Sequence, residues 1–403
     1  MTASLEAVRI AIVGTGYVTD GYMKTLTLHP ELQIAGVWDL DADRLATFAA
    51  HHEVRAYASY AEVLADPSVG IVVNLTNPRS HWEVSSQALD AGKHVYSEKP
   101  LAMTMEDARD LCERAERNGV ILAGAPCNHL GEAAQHLRET LRDRAEVLGR
   151  PLLVYAAMDD GMIPALQPET WLNELGFPWP ARDEYEVGCT LEHAGYQIAP
   201  MVAMFGPVRA VTAFNATLLP DKVVPYGGTV ISPDFSVGML EFDNGVVARL
   251  THSILAPEDR SLRVVCEHGV LTLSDVWEYD APVRYRPTGL SRAARLHRRA
   301  EWKLHSTAPG LVLGRRVKEG TPLRSSKKDP LGRLGLFHRM DFARGIARLA
   351  ALAEQGGTAP GEAALALHVT EVTLALSASD AVDGRREMTS AAALDAATSS
   401  APL

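Results

Sequence analysis

Val8 to Val13 is a short, largely β-branched run that stops abruptly at Gly14-Thr15-Gly16-Tyr17-Val18-Thr19, and this junction limits the fold more than any other stretch of the chain. A run this short and apolar reads as a strand of a parallel sheet, whose strands are covered on both faces. The glycines let the chain turn sharply and bring backbone N–H groups to the start of the next helix, where a phosphate can approach. Thr19 stands at the third fingerprint position in place of Gly or Ala, so the motif alone is also compatible with a plain turn.

The next segment narrows the choice. Leu32 to Trp38 is apolar and ends in Asp39. An acid at the end of the second strand can accept hydrogen bonds from both adenosine ribose hydroxyls and repels the extra phosphate of NADP, so NAD is the expected cofactor. Asp41 reads as the cap of a helix starting near Ala42. Arg44 lies close enough to keep NADP from being excluded.

Strand and helix signals then alternate. Ser59 with Glu62 forms a capping box, Val69 to Leu75 is a strand, Ser80 with Glu83 caps a helix that stops at Gly92, and His94 to Ser97 is a further strand. The alternation predicts an N-terminal Rossmann-type, doubly wound parallel sheet of the α/β class, with ligands beyond the carboxyl ends of the strands. Thr76, Asn77, Glu98 and Lys99 fall on that rim together with Gly14, Gly16, Tyr17 and Val18.

The stretches GTGYVTDGYMKTL and NLTNPRSHWEVSSQALDAGKHVYSEKPLAMTMEDARDL resemble the Gfo/Idh/MocA oxidoreductase family. That family's pattern is TPxxxH followed by an A-x-x-x-GKHVxxEKPLA block, and Thr76, Pro78, His81, Ala88, Gly92, Lys93, His94, Val95, Glu98, Lys99 and Pro100 stand where it wants them. The resemblance implies NAD(P)-dependent hydride transfer. It implies cofactor contacts at Gly14, Gly16, Tyr17, Val18, Asp39, Thr76, Asn77, His81, Glu98 and Lys99, with Lys99 catalytic.

It also implies a second block in the C-terminal domain, of the form G-x-x-x-D-x-G-x-H. Counted without a gap from Gly188, Glu192 takes the acid position and Tyr196 the histidine position. A competing register puts His193, Gly195 and Gln197 at the acid, glycine and histidine positions. Residues at i and i+4 share a helix face, so Glu192 and Tyr196 can point at one ligand. Alcohol oxidation needs a base for the hydroxyl proton, and tyrosine's ordinary pKa of about 10 is too high unless a cation lowers it. Lys99 could be that cation, holding Tyr196 partly as phenolate, or could itself bind the reacting hydroxyl and relay the proton. Glu192 would orient the lysine or a second sugar hydroxyl, and His193 is a further candidate partner.

From Val208 to Ser274 the pattern changes to alternating strands with hairpin signals. Asp243-Asn244-Gly245 separates Phe235–Phe242 from Val246–Ile254, and His268-Gly269 separates Leu262–Glu267 from Val270–Leu273. This predicts an α+β domain with a large open, mainly antiparallel sheet. The resemblance implies that its outer face joins subunits into a homodimer or homotetramer. Residues 281–334 hold fourteen Lys or Arg against three acids, which reads either as a solvated surface insertion or inter-subunit arm, or as a cationic lid over an anionic substrate. Helices are expected from about Phe337 to Gln355 and through Leu365, Val369, Val372 and Leu376, with a frayed tail at the end.

The expected division is a Rossmann domain at 1–125, a substrate and oligomerisation domain at 126–388, and a flexible tail at 389–403. With 403 residues and a net charge of −11, two domains and no general nucleic-acid partner are expected. Cys112, Cys127, Cys189 and Cys266 form no CxxC pair, so neither a metal site nor a disulfide framework is indicated. The absence of a basic n-region and of a long apolar run points to a cytoplasmic protein without membrane contact. The functional expectation is oxidation of a secondary hydroxyl of a sugar, glycoside or cyclitol, with Lys99 and Tyr196 handling the proton. The rival readings are an NAD-dependent glycosidase or lyase working through transient oxidation, and a non-catalytic NAD-binding regulator.

Overall fold

In the computed structural model the described residues are 7–229, 232–289, 338–378 and 384–400, with a few positions between 295 and 336. Five strands, β1 (Val8–Val13), β2 (Leu32–Trp38), β3 (Ile71–Asn74), β4 (His94–Ser97) and β5 (Leu122–Gly124), form the first sheet in the order β2-β1-β3-β4-β5. All four pairings are parallel. Ile10, Ile12, Val72, Val73 and Val95 have no exposed surface, as expected for strands covered by helices on both faces. The helix starts follow local chemistry. Asp41, Ser59 and Thr104 each accept a backbone N–H of the following first turn. Ser80 makes no such bond; Asn77 accepts from Ser80 N instead and caps the short turn leading into the helix His81–Asp90.

The second sheet contains β6 (Pro151–Asp159), β7 (Val208–Ala216), β8 (Phe235–Phe242), β9 (Val247–Ser253), β10 (Leu262–Cys266), β11 (Gly269–Leu273), β12 (Val283–Pro287), β13 (Thr321–Pro322) and β14 (Arg385–Glu387). Its order is β13-β12-β11-β10-β6-β9-β8-β7-β14, antiparallel throughout except where β6 runs parallel to β9. Both hairpins expected from the turn residues form at β8–β9 and β10–β11. One face of this sheet carries the larger core. The helix Pro360–Ser377 lies between the sheets: Ala366 packs into the Rossmann core, while Val372 and Leu376 pack into the second. One helix thus fixes the angle at which the two halves meet.

Three further expectations need correction. The helix expected from Phe337 begins only at Arg344, because the preceding residues cross to the first domain: Ala343 N donates to Thr25 Oγ1 (3.1 Å) and Asp341 meets His29 Nε2 at 3.0 Å. The expected frayed tail is instead the helix Ala391–Ser400, with Leu394 only 1 % exposed. The N–H groups of Thr389 and Ser390 donate to the two carboxylate oxygens of buried Glu371 (3.0 and 2.8 Å), which anchors the residues leading into that helix from a distance in sequence. The helix through Leu365 ends at Ser377 rather than near Gly384. Most of the basic stretch, and with it the cationic lid, lies outside the described residues. Among the described residues no helix is long and apolar enough to cross a membrane.

Candidate active site

The carboxyl ends of β1 to β4 open onto a cleft of about 1340 Å³ whose far wall belongs to the second domain. At its near end, Gly14 has φ +93°, and a Cβ there would sit 2.6 Å from Leu75 O. Only glycine lets the first turn pass so close to the end of β3. A Cβ on Gly16 would meet nothing nearer than Arg44 Nη1 at 3.8 Å. The space above the second glycine is therefore open, as a pyrophosphate at the following helix requires.

Asp39 lines the same end of the cleft. Its Oδ2 accepts from Thr15 N (2.7 Å) and Thr15 Oγ1 (2.9 Å), and its Oδ1 from Asp41 N (2.9 Å). A carboxylate has about four acceptor sites, so about one is left for a ribose hydroxyl rather than the two expected. Arg44 is also on this wall, paired with Asp41 at 3.0 Å. Tyr17, Val18, Thr76 and Asn77 line the cleft as well.

His81 does not. It is buried behind the rim, its ring nitrogens 2.6 Å from Pro100 O and 3.0 Å from Thr76 O, so it ties the two rim loops together instead of facing a ligand. Glu98, though largely buried, does line the cleft; it accepts from Tyr22 OH (2.7 Å) and from Lys99 N (2.9 Å) and so shapes the turn that presents Lys99.

Lys99 projects across the cleft and its Nζ lies 2.5 Å from Glu192 Oε2. Burial works against the ammonium, but Glu192, Glu184, Tyr196 and Glu98 outweigh it and hold the lysine well above its usual range. Glu192 sits on the helix Cys189–His193, and Tyr196 on the helix Gly195–Phe205 that follows after Ala194. Both face the cleft, and so does His193. Gln197 does not: it is fully buried and its amide donates to Ala157 O at 2.6 Å.

Burial pushes the Tyr196 phenol up, and Lys99 only partly offsets this. The phenolate anticipated for Tyr196 is thus disfavoured, because Lys99 spends its charge on Glu192. The Tyr196 ring packs edge-on against Trp277, centroids 5.3 Å apart.

Several residues in the cleft and directly behind its wall carried no functional reading in the sequence. Glu184, on the helix Ala181–Val187, lies 3.6 Å from His193 Nε2. Burial and then the neighbouring Glu192 push its carboxyl up to about 7. His193 Nδ1 is 2.7 Å from Asp160 Oδ2, an ion pair when the imidazole is protonated. Burial opposes protonation of that imidazole, but Asp160 and Glu184 together raise it above its usual range. Arg260 completes the row, 3.2 Å from Asp160 and over the Trp277 ring at 4.6 Å. Phe177 and Trp179 from a long loop, and Met340 and Phe342 from the crossing segment, close the sides. Glu184 precedes Gly188 by one helical turn, and Asp160 follows β6; position relative to those two features was the one signal available.

Residues 8–125 match the model of an oxidoreductase family with an NAD-binding Rossmann fold. Residues 135–272 match that of the GFO/IDH/MocA C-terminal domain. The chain belongs to the Gfo/Idh/MocA oxidoreductase family. Among curated members it is 25 % identical over 289 residues to scyllo-inositol 2-dehydrogenase (NADP(+)) of Bacillus subtilis, covering 71 % of this chain and 82 % of that one. It is 30 % identical over 158 residues to inositol 2-dehydrogenase 3 of Saccharopolyspora erythraea, covering 39 % of this chain and 46 % of the relative. In fold it is similar to levoglucosan dehydrogenase in complex with NADH and levoglucosan, with TM-score 0.71 and 16 % identity over 95 % of this chain and 100 % of that one. The WlbA dehydrogenase of Bordetella pertussis, in complex with NADH and UDP-GlcNAcA, gives 0.67 and 17 %, covering 95 % and 98 %.

As a member of this family the protein has an NAD-binding Rossmann domain, and the glycine turn and Asp39 fit the dinucleotide. Replacing Asp39 by Ser removes the charge that opposes a ribose phosphate while keeping an acceptor for Thr15. We expect kcat/KM with NADP, relative to NAD, to rise at least about tenfold, or about 1.4 kcal/mol; an unchanged ratio would remove Asp39 from cofactor choice.

Proposed function

We propose that this protein oxidises a secondary hydroxyl of a sugar, glycoside or cyclitol, with NAD as the preferred hydride acceptor. The observation that carries the reading is the 2.5 Å pair between Lys99 Nζ and Glu192 Oε2 at the point where the cofactor rim meets the second domain. The names of the similar dehydrogenases, acting on inositols and levoglucosan, support the substrate class. The aromatic walls of the cleft, Trp179, Trp277 and Phe177, suit the apolar faces of a pyranose or cyclitol ring.

Bound NAD(P) supplies the hydride acceptor. Gly14 and Gly16 let the backbone approach its pyrophosphate, Asp39 takes a ribose hydroxyl, and Lys99 stands at the reacting end. As an ammonium fixed by Glu192, Lys99 donates a hydrogen bond to the reacting oxygen and favours the negative charge that develops there as the hydroxyl proton leaves, the charge that in turn expels the hydride. Glu192 keeps the lysine aimed and has its second oxygen available for another ring hydroxyl. Tyr196, neutral, offers its hydroxyl group to the same substrate. Trp277, Phe342 and the Phe177–Trp179 loop shield this end of the cleft from water.

The same reading places a subunit contact on the outer face of the second sheet. Tyr155, Met239 and Phe214 are 40 %, 42 % and 61 % exposed there, and Tyr155 and Met239 both pair with Arg249 across adjacent strands. Apolar groups gathered on one sheet face are what a subunit interface buries.

Two measurements test these readings. A panel of sugars, cyclitols and glycosides assayed for NADH and NADPH formation should contain an oxidised substrate, and Lys99→Met should lower its kcat at least about a hundredfold while NAD still binds. Turnover without net reduced nicotinamide, or an undiminished mutant, would sink the proposal. In sedimentation, Tyr155→Glu with Met239→Glu should reduce an oligomer to the monomer; a wild-type monomer would dismiss the interface.

A further inference from the structure

If the protein oxidises an alcohol, a proton must leave the hydroxyl as the hydride departs, and most cleft groups are poorly placed to take it. Lys99 is already an ammonium. Glu192 is committed to that lysine through Oε2 at 2.5 Å, its other oxygen being assigned above to a neighbouring ring hydroxyl. Tyr196 is held protonated by burial, and His193 is drawn toward the imidazolium by Asp160 and Glu184.

Glu184 differs from all of these. It lines the cleft beside Lys99, Glu192 and His193. Among the described residues its carboxylate makes no hydrogen bond, its one close ionic neighbour being His193 Nε2 at 3.6 Å. Its side chain is 14 % exposed, enough to lose a proton to water. Two short helices produce this arrangement. Ala181–Val187 carries Glu184, and Cys189–His193 carries Glu192 and His193. Between them Gly188, at φ +98°, makes a turn with no room for a side chain, since a Cβ would lie 2.9 Å from Ser232 Cβ. The turn sets the free carboxylate and the imidazole on one wall, facing Lys99.

We propose that Glu184 is the proton acceptor of the reaction, with His193, anchored by Asp160, as the positioning residue that holds its carboxylate toward the reacting oxygen. The proposal rests on the dehydrogenase reading above. In balance, the carbinol C–H bond breaks and its electron pair passes to the oxidised nicotinamide as hydride. The O–H bond breaks, its electron pair becomes the second bond of the carbonyl, and its proton forms the O–H bond of the Glu184 carboxylic acid. Lys99 gains and loses no proton.

The groups facing Glu184 set its readiness for this. Glu192 and Asp160 disfavour its anion, Lys99 and His193 favour it, and burial tips the balance toward a carboxyl that changes state near neutrality. The sign follows. Oxidation needs the carboxylate, so it is full above that pKa and falls as pH drops through it. Ketone reduction needs the acid and falls as pH rises through the same value.

The test has two arms. In kinetics, Glu184→Gln should lower kcat for oxidation about a hundredfold above neutral pH and flatten the acid limb of the pH profile, with KM and NADH affinity little changed. Glu184→Asp should restore part of the rate, and His193→Asn should move the limb without abolishing it. A Glu184→Gln enzyme with the wild-type rate and limb overturns the proposal. The second arm needs no turnover: in 13C NMR of the NAD-bound protein, a glutamate carboxyl titrating near neutrality should vanish in Glu184→Gln and shift in His193→Asn. If no such carboxyl exists, and Glu184 titrates in the ordinary carboxylate range, the proposal is wrong. A wild-type protein that oxidises no alcohol while showing that titration would instead count against the dehydrogenase reading.

Discussion

The ion pair between Lys99 and Glu192 joins residues that stand 93 positions apart, one on the Rossmann rim and one on the Cys189–His193 helix of the opposing wall. Each half of the protein is arranged so that these two groups meet. On the Rossmann side, Glu98 ties the turn to Tyr22, and His81 lies against the carbonyls of Pro100 and Thr76, so the lysine leaves a braced loop. On the other side, Gly188 sets the Cys189–His193 helix at the mouth of the cleft. The helix Pro360–Ser377, packed into both cores, keeps the two walls at a fixed distance. A buried pair of this kind contributes little net stability, because desolvation offsets attraction. Its value here lies in holding one ammonium in one place.

The electrostatics of the cleft divide into two parts. Near the glycine turn, Asp39 and Asp41 face outward and Arg44 answers one of them. Toward the second domain, charge is layered: Lys99 against Glu192, His193 against Asp160, and Arg260 behind Asp160. Glu184 sits in the gap between the first two pairs with the least compensation, which is why its carboxyl is pushed up to about 7. Low polarity around these groups, from Trp277, Tyr196 and Phe342, strengthens every one of these terms.

What a linear reading could recover follows from the range of the forces involved. The Rossmann half was legible because its signals are local: apolar strands of a few residues, caps at Asp41, Ser59 and Thr104, and a glycine turn whose φ no other residue tolerates. The EKP turn was legible as a rim residue for the same reason, and the hairpins through Asn244-Gly245 and His268-Gly269 follow from turn chemistry. Glu192 and Tyr196 could be aligned with the family pattern, but Tyr196's protonation depends on burial and on where Lys99 spends its charge. Asp160, Glu184 and Arg260 meet only in three dimensions, at separations no periodicity records. The C-terminal helix has no strong local signal, because the residues of Ala391–Ser400 are small and weakly apolar and the segment leading into it is anchored by Glu371, far away in sequence.

The most direct measurement is 15N NMR of Lys99 Nζ in the NAD-bound protein, followed from about pH 6 to about pH 10. With Glu192, Glu184, Tyr196 and Glu98 outweighing its burial, the group is expected to remain an ammonium across that range. Conversion to the neutral amine at or below about pH 9 would contradict an ammonium fixed by Glu192 and return the proton transfer to the lysine itself.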